Sequence, residues 1–256
     1  MMERIVRKNI FISGASSGLG AGMAREFAAR GANLALCARR LDRLQQLKTE
    51  LETAHPTIKV AIRALDVVQY DDVFVALRGF RDELGSIDRV IVNAGIGEGV
   101  PVGKGGFARN RAIIETNFLA ALAQCEAGME IFRAQGAGHL VVISSMSAFR
   151  GLRGGLTAYS SSKAGVAALT EGIRADMLRK PAIKVTTIFP GYMRTEMNQD
   201  ADPAHTPFLI DGKTGARLIT RAIEREPATA IVPRWPWALV GWLIRRVPLK
   251  WVARAF

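Results

Sequence analysis

Asn9-Ile10-Phe11-Ile12-Ser13-Gly14-Ala15-Ser16-Ser17-Gly18-Leu19-Gly20 is the stretch that decides how this 256-residue chain folds. Its first five residues form a short apolar run of the kind found in strands covered on both faces. Gly14, Gly18 and Gly20 follow, and then Met23, Phe27 and Ala28 recur at helical spacing, so the stretch predicts strand, tight turn and helix. The unit repeats: Asn33 to Ala38 leads into Leu41, Leu44, Leu47 and Leu51, and Lys59 to Leu65 leads into Val73, Leu77 and Phe80. Ile87 to Val92, His139 to Ile143, Lys184 to Phe189 and Ala230 to Val232 supply four further apolar runs. Seven strands alternating with helices predict an α/β fold with one doubly wound parallel sheet, whose ligands sit at the carboxyl ends of the strands.

Glycines between a first strand and a first helix permit a tight turn and close backbone approach. The helix N-terminus then offers free N–H groups and a positive dipole end to a pyrophosphate. Without a ligand the same glycines are a plain turn; the flanking strand and helix favour phosphate binding by Gly14, Ser16, Ser17, Gly18, Leu19 and Gly20. The end of the second strand selects the dinucleotide, because an acidic side chain there holds a ribose 2′-hydroxyl and a basic one a 2′-phosphate. Here it ends Cys37-Ala38-Arg39-Arg40. Two guanidiniums suit bidentate phosphate contacts, which favours NADP over NAD, although the same arginines also suit a solvated helix start.

With these motifs in order the sequence resembles the short-chain dehydrogenase/reductase family over roughly residues 9 to 232. Gly14, Gly18 and Gly20 match its glycine motif, Asn93-Ala94-Gly95 its fourth-strand motif, and Tyr159-Ser160-Ser161-Ser162-Lys163 its catalytic motif. Asn117, Ser145 and Pro190-Gly191 through Thr195 fall in the family's order. The resemblance implies a single-domain Rossmann fold over residues 1–232 and an oxidoreductase that passes a hydride between the nicotinamide and a carbonyl or secondary alcohol. A carbonyl accepting hydride develops negative charge on oxygen, so the site needs a proton donor and a polar group that binds the oxyanion. Tyr159 and Lys163 lie one helical turn apart, so Lys163 is placed to lower the Tyr159 pKa and, by family likeness, to hold the nicotinamide ribose. Ser145 is expected to bind the substrate oxygen. The family's serine-to-tyrosine interval is thirteen residues, Ser145 to Tyr159 is fourteen and Ser147 to Tyr159 is twelve, which we read as a one-residue insertion between Gly151 and Leu156. Asn117, within a helix expected over Ala108 to Gln135, resembles the residue that holds a water in the proton relay; an exposed helical asparagine is the plain alternative. Likeness further implies that Asp66 and Val67 meet the adenine, that Asn93, Ala94 and Gly95 line the adenine ribose side, and that Pro190, Gly191 and Thr195 approach the nicotinamide. Asp66 also suits a helix N-cap.

Composition is ordinary for a globular chain, at 49% hydrophobic and 23% charged residues, which excludes collagen-like, disulfide-scaffold and disordered classes. Cys37 and Cys125 match no metal spacing and read as inert buried thiols of a reducing compartment. His55, His139 and His205 are scattered, so no catalytic metal is expected. The N-terminus shows no signal peptide and the longest apolar run, Trp235 to Ile244, is too short to span a bilayer, so a cytoplasmic protein is expected. Net charge is +12, and after Glu226 the chain has five basic residues, no acidic one and all four tryptophans. This extension, 233–256, reads as a lid, a subunit interface or a surface that lies peripherally on anionic membrane. The basic residues form no compact nucleic-acid motif. Met193, Met197, Pro207, Phe208, Leu209 and Ile210 suggest an apolar lid and, with it, a lipophilic substrate. The resemblance implies a homo-oligomer, a dimer or tetramer. A catalytically silent NADP-binding protein is the alternative function, and the joint presence of Ser145, Tyr159 and Lys163 counts against it.

Overall fold

A computed structural model describes residues 7–198, 206 and 208–255; His205, Pro207 and Phe256 lie outside the described residues. The chain runs β1 (Asn9–Ser13), α1 (Gly18–Ala28), β2 (Asn33–Ala38), α2 (Leu41–Ala54), β3 (Val60–Ala64), α3 (Tyr70–Leu84), β4 (Arg89–Val92) and α4 (Phe107–Ile114). It continues through α5 (Ala120–Gln135), β5 (Gly138–Ile143), α6 (Leu156–Asp176), β6 (Ile183–Pro190), α7 (Gly212–Ile223), β7 (Thr229–Val232), α8 (Trp237–Ile244) and α9 (Leu249–Ala255). The seven strands form one parallel sheet in the order β3-β2-β1-β4-β5-β6-β7. The expected Rossmann arrangement is therefore present, with its switch point between β1 and β4, where ligands of such sheets bind.

Side-chain alternation divides the core. Ile10 and Ile12 of β1 join the cluster built with α1, α2 and α7, while Phe11 joins the cluster of α3, α5 and α6 on the other face. There Phe11 meets Phe80 of α3 at 5.9 Å between ring centres. Strand ends differ from the apolar runs where polar groups intervene. Ile87 and Asp88 precede β4, because the Asp88 carboxylate accepts from the backbone N–H of Lys8 and Asn9 at 2.8 and 3.0 Å. The helix expected over Ala108 to Gln135 is α4 and α5 joined by a π-turn at Glu115–Leu119. Such a bulge inserts one extra residue into the helical ladder and turns side chains to new directions.

At the amino-terminal edge of the sheet, Arg89 is buried among partners from distant segments. Its Nε donates to His139 Nδ1 at 2.9 Å, and its Nη atoms pair with Glu224 and Glu226. Arg7 pairs with Glu226 at 2.9 Å, and His139 Nε2 reaches Thr186 Oγ1 at 2.9 Å. Burial and the neighbouring cations Arg89, Arg7 and Lys184 hold the His139 pKa well below the usual imidazole range, so it serves as a neutral strand residue.

Candidate active site

The turn after β1 is locked from below by side chains. Ser13 Oγ accepts from Asn93 N and Ala94 N, each at 3.0 Å, and Asn93 Nδ2 donates to Ser13 O at 2.9 Å. Gly14 has φ +65°, and a Cβ on it would stand 2.9 Å from Ala94 Cα; one on Gly20 would stand 2.3 Å from Gly14 O. The turn thus closes without side chains and presents Ser16 to Leu19 to the space above the strand ends, as a dinucleotide pyrophosphate requires. Asn93 supports that turn with its side chain rather than reaching outward.

That space is a cleft of about 910 Å³. Of the residues expected to act, all except Gly20 and Asn117 line it: the glycine turn, Arg39, Arg40, Asp66, Val67, Asn93 to Gly95, Ser145, Tyr159, Lys163, Pro190, Gly191 and Thr195. Gly20 packs inside the turn. Asn117, 1% exposed, lies one layer behind, where the π-turn points it at the loop after β4. Its Oδ1 accepts from Ile96 N at 2.8 Å, and its Nδ2 donates to Ile96 O at 2.9 Å and Ser162 Oγ at 3.2 Å. It therefore ties the β4 loop to α6 and is not the exposed helical residue that sequence left open. Asp66 is not the cap of α3 either, since Gln69 holds that position; its carboxylate accepts from Val68 N at 3.3 Å.

At the other end of the cleft stand Ser144, Ser145 and Ser147, all three lining it. The Ser145 hydroxyl lines the cleft together with Tyr159 and accepts from Ser147 N at 3.1 Å. Ser144 turns away, donating to Lys163 O at 2.8 Å. Lys163 Nζ donates to Ile143 O at 3.0 Å and stands 5.8 Å from the Tyr159 ring centre. Burial pulls the Lys163 pKa down to about 8. Burial raises the Tyr159 pKa above its ordinary value, Ser145 acts the other way and Tyr192 adds to the rise, and Lys163 is not among the groups that shift it. Burial is the larger effect, so Tyr159 is held as the protonated phenol.

Three walls of the site were not named individually by the sequence reading, although Trp237 falls in the extension read as a lid. Tyr192, directly after the Pro190-Gly191 motif, stands edge-on to Trp237 at 5.2 Å. Trp237, buried in α8, lies over Gly191, where a Cβ would come within 2.2 Å of the indole nitrogen. Glu196 pairs with Arg40 and Arg43. For Tyr192 adjacency to the motif was a usable signal, whereas Trp237 and Glu196 reach the cleft through long-range packing that leaves no local pattern. Among the expected lid residues, Met193 is a core residue bridged to Ile210, while Phe208 packs on Trp237 and Met197 lines the cleft. Cys37 and Cys125 are buried free thiols, pushed up to about 12 by burial and hence inert.

The short chain dehydrogenase family profile matches residues 8–206. An uncharacterised oxidoreductase of Mycobacterium tuberculosis strain H37Rv is 49% identical over 252 residues, 98% of this chain and 96% of its own length. An Arabidopsis thaliana protein named 11-beta-hydroxysteroid dehydrogenase 1A is 31% identical, covering 91% of this chain and 70% of its own. The solved structure of a short-chain type dehydrogenase/reductase from Mycobacterium marinum superposes with a TM-score of 0.78 at 27% identity, covering 88% of this chain and 92% of that one. A glycine turn at the switch point, a serine–tyrosine–lysine group across the cleft from it, and likeness along nearly the whole chain converge: this chain belongs to the short-chain dehydrogenase family of oxidoreductases.

Proposed function

We propose that this protein is an NADP(H)-dependent reductase of lipophilic ketones or aldehydes, with Tyr159 as the proton donor. The observation that carries the reading is that Ser145, Tyr159 and Lys163 line one cleft with the glycine turn, Arg39 and Arg40. The residues present suit a nicotinamide dinucleotide, because the side-chain-free turn at Gly14 leaves backbone N–H groups facing the cleft and Arg39 and Arg40 line its adenosine end. When bound, the nicotinamide supplies the hydride. Ser145 and Tyr159 hold the substrate oxygen between two hydroxyls, and Tyr159 gives it a proton as negative charge develops. Tyr159 is a protonated phenol near neutral pH, the form that donates. Lys163, one turn along α6, brings a cation to the same floor, and Asn117 positions the β4 loop against it through Ile96.

A lipophilic substrate is supported by the walls. Leu152, Leu156, Trp237, Val240 and Ile244 line the cleft, and Leu152 also lines a second, apolar cavity of about 490 Å³ completed by Leu249 and Val252. The Arabidopsis relative's name, a hydroxysteroid dehydrogenase, agrees with that class. The extension thus has two faces: Trp237, Gly241 and Val252 are buried, whereas Trp242 and Trp251 are 53% and 58% exposed beside Arg245, Arg246 and Lys250. No helix among the described residues is long and apolar enough to cross a membrane. We read the outer face as a contact with anionic lipid surface, where tryptophan rings and cations are both at home. The family resemblance adds a homo-oligomer across α5 and α6.

The test is Tyr159→Phe assayed with NADPH against ketosteroids, 3-oxoacyl thioesters and retinoid-like aldehydes. The variant should bind NADPH within a few-fold of wild type and lose nearly all activity. More than a tenth of the wild-type rate on a working substrate would remove Tyr159 from the assignment.

A further inference from the structure

Arg40 ends the β2 connection and Arg43 lies in the first turn of α2, at the adenosine end of the cleft. Glu196 follows Thr195 in the turn after β6, and β1, β4 and β5 separate β2 from β6 in the sheet. Its carboxylate nevertheless meets Arg40 through both oxygens, at 2.9 and 2.7 Å, and Arg43 Nη1 at 2.8 Å. Arg40 Nη2 also donates to Ser17 Oγ at 2.8 Å and Ser16 Oγ at 3.3 Å. A single carboxylate is thus seated between two guanidiniums. That donor set holds phosphate as well as it holds carboxylate. Arg39 stands beside it, exposed, lining the same cleft and in no ion pair among the described residues. Even with Asp42 acting on Arg40 from the first turn of α2, the three guanidiniums outnumber the two carboxylates, and a phosphate dianion in the place of Glu196 balances them better.

We propose that Glu196 is a resident anion in the 2′-phosphate pocket. A 2′-phosphorylated cofactor displaces it from Arg40 and Arg43, whereas a cofactor without that phosphate leaves it in place. Glu196 thereby determines how tightly the 2′-phosphate is held, loosening a three-arginine grip so that spent cofactor leaves. This rests on the NADP(H) reading above. The arginines that it occupies are already aligned by it, so the exchange replaces one set of charge-assisted hydrogen bonds with another instead of ordering a loose loop.

The experiment is a calorimetric titration of the full chain with adenosine 2′,5′-bisphosphate and with adenosine 5′-monophosphate, using wild type, Glu196→Gln and Glu196→Ala. Glu196 is a turn residue at the surface, and thermal melts verify that both variants fold. Removing the carboxylate should tighten the bisphosphate about tenfold or more, the equivalent of one net charged hydrogen bond, and leave the monophosphate within about twofold. Unchanged or weaker bisphosphate binding by both variants, in a wild type that prefers the bisphosphate, overturns the exchange alone and makes Glu196 a residue that positions the arginines. A wild type that binds the two nucleotides equally overturns the NADP(H) reading and the exchange with it.

Discussion

Lys163→Met is expected to stabilise the protein near neutral pH while abolishing its chemistry. Lys163 is 6% exposed, its ammonium donates to the Ile143 carbonyl at 3.0 Å, and burial lowers its pKa from 10.5 to about 8. The folded value lies below the unfolded one, so between those two pH values the unfolded chain carries the proton and the folded chain does not. This lysine therefore opposes folding in full below about pH 8, its opposition fades as pH rises, and it is gone above about pH 10.5. The separation of the two pKa values corresponds to about 3 kcal/mol. Methionine fills a similar length with no charge to desolvate, but it leaves the Ile143 carbonyl without that donor, at a cost of about 1 kcal/mol. The net gain of about 2 kcal/mol should raise the melting temperature by about 4–8 °C for a chain of this size. Circular-dichroism melts of wild type and variant, without added cofactor, at pH 7 and pH 10.5 provide the assay. The variant should melt higher at pH 7 and the gap should close at pH 10.5. A variant that melts below wild type at pH 7, or that keeps the same margin at both pH values, refutes the burial account of Lys163.

Asn117→Ala removes three hydrogen bonds and leaves both backbone groups of Ile96 unpaired, so its melting temperature should fall by about 5 °C or more along with activity; an unshifted melt means that Ile96 finds other partners. Replacing Arg39 and Arg40 together by serine should weaken NADPH by about 1.5–3 kcal/mol per lost charged hydrogen bond and spare NADH, and equal loss for both cofactors reduces the arginines to a general field. Trp242→Ala combined with Trp251→Ala should abolish sedimentation with phosphatidylserine vesicles at low salt while leaving Trp237 over the cleft; failure of the intact protein to sediment makes the outer face of α8 and α9 something other than a lipid contact.

The sheet was legible because each strand is nearly continuous in apolar residues and each is followed by a helical pattern, so Asn9 to Ser13 and its repeats located the strand ends and, with them, the cleft. Tyr159, Lys163 and the glycine turn were legible for the same reason: their spacing is local. The serine was legible only as a choice among Ser144, Ser145 and Ser147, since the interval to Tyr159 departs from the family's by one residue either way, and all three line the cleft. What sequence could not give depends on the third dimension. The direction of the Tyr159 pKa follows from how much protein surrounds it, and a neighbouring lysine in sequence says nothing of that. The π-turn at Asn117 keeps an apolar periodicity close to that of an ordinary helix. Arg89 and His139 look in sequence like polar residues at strand starts, and their charge partners arrive from beyond Thr220.

Those partners have a bearing on accuracy at the far edge. Because Arg89 and His139 lie at the starts of neighbouring β4 and β5, are joined to Glu224 and Glu226 and reach Thr186 within β6, a slip of β4, β5 or β6 by one residue would put a charged or polar group where a hydrophobic one belongs and invert every side chain along the strand. It would also carry Ser144 and Ser145 about 3.3 Å out of line with Tyr159. The cluster functions as an alignment key for the sheet. The placing of Ser145 and Tyr159 on one cleft is set at the opposite edge of the sheet, by residues that do not line the cleft.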